Sequence, residues 1–243
     1  MAFLSALWPN LTSVCTLSTT REGGVSRPPF NSLNLGLHVD DNKEDVLKNR
    51  AVVEQSLPNR AVWLNQVHSA DVLSVDTDFN FQTLHSADAL YTQLKNQPLA
   101  IMSADCLPIL LASQDGHEVA AIHGGWRGLE KGIIKNTLAC FNAPSKQVYA
   151  WLGPAIGAEK FEVGAEVAAR FIAKSPLFKE AFKLQGNNKY LCDIYLIARI
   201  ELEQLGVTKV SGGDYCTVSQ SSLFFSYRRE GKTGRMASLI WRK

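Results

Sequence analysis

A chain of 243 residues is long enough to bury a large core in one domain or in two small ones. With 46% hydrophobic and 20% charged residues, its composition is that of an ordinary soluble globular protein. The net charge of +2 gives no footing for a nucleic-acid or anionic-membrane partner, and no apolar run reaches the ~18 residues that span a bilayer.

The N-terminus, MAFLSALWPNL, has no basic residue ahead of its apolar ones and reads as a first strand or its lead-in rather than a signal peptide. Val14–Thr20 is β-rich, and Arg21–Ser26 follows as a glycine turn before an extended Arg27–Phe30. Asp40-Asp41-Asn42 offers a cap for a helix from Lys43 to about Leu57, stopped by Pro58-Asn59. Ala61–Asp76 reads as two strand segments broken at Asn65–Ala70; Phe79–Ser86 reads as loop and Ala87–Thr92 as a short strand.

The stretch Leu99–Gly128 organises the rest. Two apolar runs, Pro108–Ser113 and Glu118–His123, flank Gln114-Asp115-Gly116-His117, a strong local hairpin signal. With those four residues as the loop, Ser113 pairs with Glu118 and Pro108 with His123, and Cys106 lies two residues beyond at the same end of the ladder. After Gly124-Gly125, Arg127–Phe141 reads as a helix whose first backbone donors face the Cys106/His123 corner. Further on, Gln147–Leu152 reads as a strand, Glu159–Lys174 and Tyr190–Leu205 as helices, and Lys209–Val210, Tyr215–Val218, Leu223–Tyr227 and Met236–Trp241 as strands, with Glu230–Gly234 turning the last pair. Hairpins and helices without a βαβ rhythm predict an α+β fold, a single domain over residues 1–243 with mixed β-sheets and packed helices.

The five cysteines (15, 106, 140, 192 and 216) form no CxxC pair, so a cytoplasmic protein with reduced thiols is expected. Of the histidines, His85 and His117 sit in polar loops and carry no expected role, whereas His123 ends a strand at two glycines and His68 lies at a strand break. Two imidazoles and a thiolate (His68, His123 and Cys106) suit zinc with an open fourth position, although their spacing matches no compact zinc motif. The same residues allow a different chemistry, with Cys106 as a thiol nucleophile and His123 as its base, oriented by Asp105 or Asp71. Arg21, Arg127 and Arg228-Arg229 are candidates for holding an anion, and Asn31 and Asn34 for substrate contacts or backbone caps.

The segments TREGGVS (20–26), FNSLNLG (30–36), NQVHSADV (65–72), SADCLPILL (103–111), HGGWRG (123–128), GPAIG (153–157), FEVG (161–164) and FFSYRREGKTGRMASLIW (224–241) together resemble one family. It is the laccase-domain or multicopper polyphenol oxidase family, also called the peptidoglycan editing factor or purine nucleoside phosphorylase family. The resemblance runs from about residue 12 to the C-terminus, with the motifs in order. It implies a fold related to cysteine-dependent deamidase toxins and a metal set of His68, Cys106 and His123, usually holding zinc, with copper the other candidate. The activities it implies are phosphorolysis of adenosine, inosine and methylthioadenosine, deamination of adenosine, copper-dependent phenol oxidation, and editing of cell-wall precursors. Five histidines are too few for a multicopper cluster, which leaves a zinc-dependent purine nucleoside phosphorylase and deaminase as the expected function. A peptidoglycan-precursor amidase is the alternative, and a non-enzymatic metal-binding module the third class. The expected site is then Cys106, His123, His68 and Asp105 for catalysis, with Arg127, Arg21, Asn34 and Arg228 for substrate and phosphate. The expected partners are a purine nucleoside and phosphate, met by a monomer.

Overall fold

Alternation of side chains along the strands sorts the apolar residues onto opposite faces, and the layers of the fold follow from it. The structure is a computed structural model and describes residues 3–6, 8–9 and 11–243; Met1, Ala2, Leu7 and Asn10 of the expected N-terminal lead-in lie outside the described residues. In chain order the first elements are β1 (Phe3–Leu4), β2 (Val14–Thr19), α1 (Lys43–Glu54), β3 (Val72–Val75), β4 (Ala89–Thr92) and β5 (Leu99–Ser103). Then come β6 (Leu107–Ser113), β7 (Val119–Gly124), α2 (Trp126–Glu130), α3 (Ile133–Leu138), β8 (Val148–Leu152), β9 (Glu162–Gly164) and α4 (Ala165–Lys174). The chain ends through β10 (Phe182–Gly186), β11 (Lys189–Cys192), α5 (Ile194–Gln204), β12 (Lys209–Gly212), α6 (Tyr227–Glu230) and β13 (Met236–Arg242).

The strands form a four-stranded sheet (β1-β2-β13-β5), a six-stranded sheet (β12-β8-β6-β7-β4-β3) and a small three-stranded sheet (β10-β11-β9). The six-stranded sheet is mixed, with parallel pairs at both edges and antiparallel pairs in the middle. Along β6, Leu110 and Ala112 face Leu99 and Ile101 of the four-stranded sheet, while Leu107, Ile109 and Leu111 face the helices. The far side of the four-stranded sheet packs Leu239 and Trp241 against Val53 of α1 and against Leu33 and Leu35. Both faces of β6 and β7 are therefore covered, which is why they read as unbroken apolar runs. This is the expected α+β architecture with mixed sheets.

The central hairpin has the expected register, with Pro108 opposite His123 and Ile109 opposite Ile122. Its turn closes through the Ser113 N–H on Glu118 O at 2.9 Å, with Gly116 at φ +72° and the Asp115 carboxylate accepting the His117 N–H at 2.9 Å. The α1 cap is also as expected, Asn42 accepting from the Glu44 and Asp45 N–H groups.

Several elements differ from expectation, each for a tertiary reason. The single helix over Arg127–Phe141 is two short ones, α2 and α3, because Gly132 adopts φ +84° between them. The helix expected from Glu159 begins only at Ala165, and the one expected from Tyr190 only at Ile194 behind an Asp193 cap; the residues before each (β9, β11) pair with one another, and β11 also with β10. Ala61–Asn65 makes only isolated bridges, at Val62 and Asn65, and the one strand of that segment is β3. Tyr215–Val218 makes only an isolated bridge, Cys216 with Ala155, and then a turn, and Leu223–Tyr227 runs irregularly into α6, so these residues form no hairpin with β13, which pairs instead with β2 and β5. Among the described residues no helix is long and apolar enough to cross a membrane, and the five cysteines are unpaired.

Candidate metal centre

The chain passes from β5 of the four-stranded sheet to β6 of the six-stranded sheet at the corner Ala104–Cys106. The corner is sharp enough to put Asp105 at φ +96°, an unusual conformation for a residue with a Cβ. The Asp105 carboxylate pins it, accepting the Thr217 hydroxyl and the Arg228 backbone N–H, both at 2.6 Å, while its carbonyl accepts the Ile156 N–H at 2.9 Å. Cys106 follows at once and reaches the cleft beside the end of β7, where the hairpin register delivers His123. Gly125 keeps the corner open, because a Cβ there would lie 2.9 Å from His68 Cδ2 and 3.3 Å from Cys106 Sγ.

His68 comes from the loop before β3, at φ +58°. Two devices hold that loop. The Gln66 side-chain amide pairs with the Met102 backbone in both directions at 2.8 Å, docking it on β5. The fully buried Asp88 carboxylate accepts the backbone N–H groups of Val67, His68 and Ser69 at 3.2, 3.0 and 2.6 Å. The same carboxylate accepts from Nδ1 of His123 at 2.8 Å. An ionised carboxylate can only accept, so Nδ1 of His123 carries the proton and Nε2 is left for a ligand.

The three donor atoms of His68, Cys106 and His123 lie within 4.8 Å of one another, with Cys106 Sγ 3.8 Å from His68 Nε2. The His68 and His123 rings meet edge to face at 4.8 Å between centroids. Burial by itself would push the Cys106 thiol up, but the neighbouring imidazoles of His123 and His68 outweigh it and bring it down to about 6. For His123, burial favours the neutral ring, while the Cys106 thiolate and Asp88 oppose it and raise the ring to about 9. Burial would likewise raise Asp88, and its hydrogen bonds from His123 and Ser69 hold it at about 2. One thiolate and two imidazoles, one of them oriented by a carboxylate, fit a borderline-soft divalent metal with an open position.

The set forms part of the wall of a cleft of about 510 Å³, together with Trp126, Phe161, Tyr227, Arg127, Arg228 and Arg235. Of the other residues expected at the site, Asp105 lines the cleft with both oxygens engaged as above. Arg127 is exposed there, its guanidinium 4.4 Å above the Trp126 ring. Arg228 directs its guanidinium to the carbonyls of Lys160 and Glu162, at 3.4 and 3.1 Å. Arg21 and Asn34 lie outside the cleft. Arg21 pairs with Glu230 at 2.9 Å and bonds the carbonyls of Asn31 and Ser221. Asn34 is buried and bridges Asp41, Gly36 and the Arg235 backbone. The residue that orients His123 is Asp88, neither Asp105 nor Asp71. The helix at whose start the anion site was expected, α2, has only five residues, with Arg127 its second. Asp88 and Arg235 were not expected, and the one sequence signal for Asp88 is an acidic residue at the head of an otherwise apolar strand.

Residues 15–243 match the family model described as multi-copper polyphenol oxidoreductase laccase. The chain is 47% identical over 236 residues to a Shigella flexneri protein named purine nucleoside phosphorylase YfiH, covering 96% of each chain. It superposes on the crystal structure of Neisseria meningitidis protein NMB0706 with a TM-score of 0.93 at 46% identity, covering 99% of each chain. Against YlmD from Geobacillus stearothermophilus the TM-score is 0.89 at 32% identity, covering 100% of this chain and 97% of that one. The chain belongs to the multi-copper polyphenol oxidoreductase laccase family, whose relatives include proteins named purine nucleoside phosphorylase.

Proposed function

We propose that this chain is a zinc-dependent purine nucleoside enzyme of the cytoplasm. It works as one monomeric domain, cleaves adenosine, inosine and methylthioadenosine with phosphate, and deaminates adenosine. The observation that carries the reading is one cleft in which a His68/Cys106/His123 donor set faces aromatic walls and arginine side chains. The names of the relatives point the same way. His68, Cys106 and His123 would hold the zinc, which when bound would supply Lewis acidity to the cleft. The protein's own groups do the rest. Trp126, Phe161 and Tyr227 offer faces on which a purine can lie, and the arginines offer positive charge to a phosphate. Asp88 fixes the tautomer and orientation of His123. Asp105, with both oxygens engaged, holds the corner that carries Cys106.

Phenol oxidation through several coppers needs more imidazoles than the two this donor set brings together. A second reading has a specific observation behind it. Cys106, His123 and Asp88 form a thiol–imidazole–carboxylate chain, and the lowered thiol suits attack on an amide carbonyl, as an editing amidase would require.

The test is to incubate zinc-loaded protein with each nucleoside, with and without phosphate, and to separate the products. Free base and ribose 1-phosphate formed only with phosphate establish phosphorolysis; inosine formed from adenosine without phosphate establishes deamination. Arg127→Ala should depress the phosphate-dependent reaction by about ten- to a hundredfold, the worth of a charged hydrogen bond, and the deamination less. Turnover of amino-sugar peptides but of no nucleoside would replace this reading with the amidase.

A further inference from the structure

The arginines lining the cleft differ in how the fold uses them. Arg228 is turned to two backbone carbonyls, and Arg127 is exposed over Trp126. Arg235 is half-buried and rigidly held. Its Nη1 donates to the carbonyls of Thr233 and Gly234 at 2.9 and 3.0 Å, and its backbone N–H donates to Asn34 Oδ1 at 2.9 Å. Its stem lies over Gly36, where a Cβ would sit 2.8 Å from Arg235 Cγ. The His38 ring lines the same wall, 3.4 Å from that Cβ position. Among the described residues, Nε and Nη2 of Arg235 have no acceptor, and no carboxylate forms an ion pair with it. Cys106 and then Asp105 act on it through space, and Asp105 has both oxygens engaged elsewhere. The half-buried guanidinium thus has charges near it but no ion-pair partner on its Nε–Nη2 edge, and a fixed fork with a free edge matches two oxygens of one phosphate.

We propose that Arg235 anchors a phosphate subsite in this cleft, its Nε–Nη2 edge holding two phosphate oxygens with His38 beside it. Phosphate recognition then includes the segment leading into β13, beside Arg127 in the same cleft. What the phosphate does there rests on the phosphorylase reading; that it binds there does not. The phosphate can be free orthophosphate or a phosphoryl group carried by the substrate.

The experiment is calorimetric titration of zinc-loaded protein with inorganic phosphate and, separately, with adenosine 5′-monophosphate. The proteins compared are the wild type, Arg235→Gln, Arg235→Lys, and Lys183→Gln as an exposed control with the same charge change as the first. Arg235→Gln should weaken binding of the phosphate probe by about ten- to a hundredfold, Arg235→Lys less, and Lys183→Gln not at all. Where phosphorolysis is measured, KM for phosphate should rise in Arg235→Gln while KM for the nucleoside holds. Binding of inorganic phosphate identifies the free ion as the ligand, and binding of the monophosphate alone identifies a substrate phosphoryl group. Absence of binding by either probe in the wild type, or wild-type affinity in Arg235→Gln, overturns the proposal. Should Arg235→Gln fail to fold, wild-type affinity in Arg235→Lys overturns it. Arg235-dependent phosphate binding without nucleoside cleavage upholds the subsite and removes only the phosphorylase reading.

Discussion

Asp88 is one carboxylate serving two of the three metal donors, so replacing it with the isosteric asparagine is the sharpest test of the site's construction. Oδ1 accepts from the His68 N–H and His123 Nδ1, and Oδ2 from the Val67 and Ser69 N–H groups, all between 2.6 and 3.2 Å. An amide keeps only one of those oxygens as an acceptor. Whichever way the introduced side chain is turned, its NH2 faces two donors. One donor is left unsatisfied where the His123 ring takes the other tautomer and two otherwise, at about 1–3 kcal/mol each, so the cost is about 1–6 kcal/mol, a sizeable share of the ~5–15 kcal/mol that stabilises a typical domain. One orientation frees the His123 ring, the other frees the His68 loop, so metal binding weakens in both, by about 10–100-fold. Thermal unfolding with and without zinc, and competition against a chromophoric chelator, measure the two effects. Wild-type zinc affinity together with a wild-type unfolding temperature in Asp88→Asn would refute the account of Asp88 as the clamp.

Cys106→Ala should release zinc and abolish turnover, as read by metal analysis of the dialysed protein, whereas His117→Ala and His85→Ala should retain both. Gly125→Ala places a methyl group 2.9 Å from His68 Cδ2 at an ordinary φ of −67°, so it should impair zinc binding more than stability. Gly132→Ala is the converse. It meets open space but takes φ +84°, and should lower stability by about 1–2 kcal/mol in denaturant titration while leaving zinc affinity alone. Burial would raise the Glu118 carboxyl, but bonds from Tyr91, Asn142 and Ala143 hold it below the ordinary range. Its stabilising contribution is therefore present above the unfolded carboxyl's pKa and is lost as pH falls through the depressed folded value. Glu118→Gln should flatten that acid limb of the stability–pH curve, and an unchanged limb would remove Glu118 from the account.

The sequence by itself determined what short-range physics fixes. The hairpin register of Pro108 with His123 follows from a four-residue loop and an Asp-Gly turn, and Asn42 caps α1 through its own next residues. The expected ladder ends at Pro108, and although the ladder runs one pair further to Leu107–Gly124, the thiolate–imidazole corner was legible; His68 was a candidate from its place at a strand break, and the motif resemblance strengthened it. What the sequence could not determine depends on contacts distant along the chain. The segments before α4 and α5 carry apolar residues that suit a helical face as well as a strand, and only their pairing as β9 and β11 makes them extended. Leu223–Tyr227 looks like a strand by composition, but β2 and β5 already occupy both edges of β13. Asp88 and Arg235 read as ordinary charged residues until the fold surrounds them. One becomes a buried acceptor because His123 and the 67–69 backbone converge on it, and the other an unpaired guanidinium because Asp105 is used at the corner. Local rules place the donors on their elements. The partners that orient those donors exist only once separate layers are packed against one another, because burial is what makes a single carboxylate or guanidinium decisive.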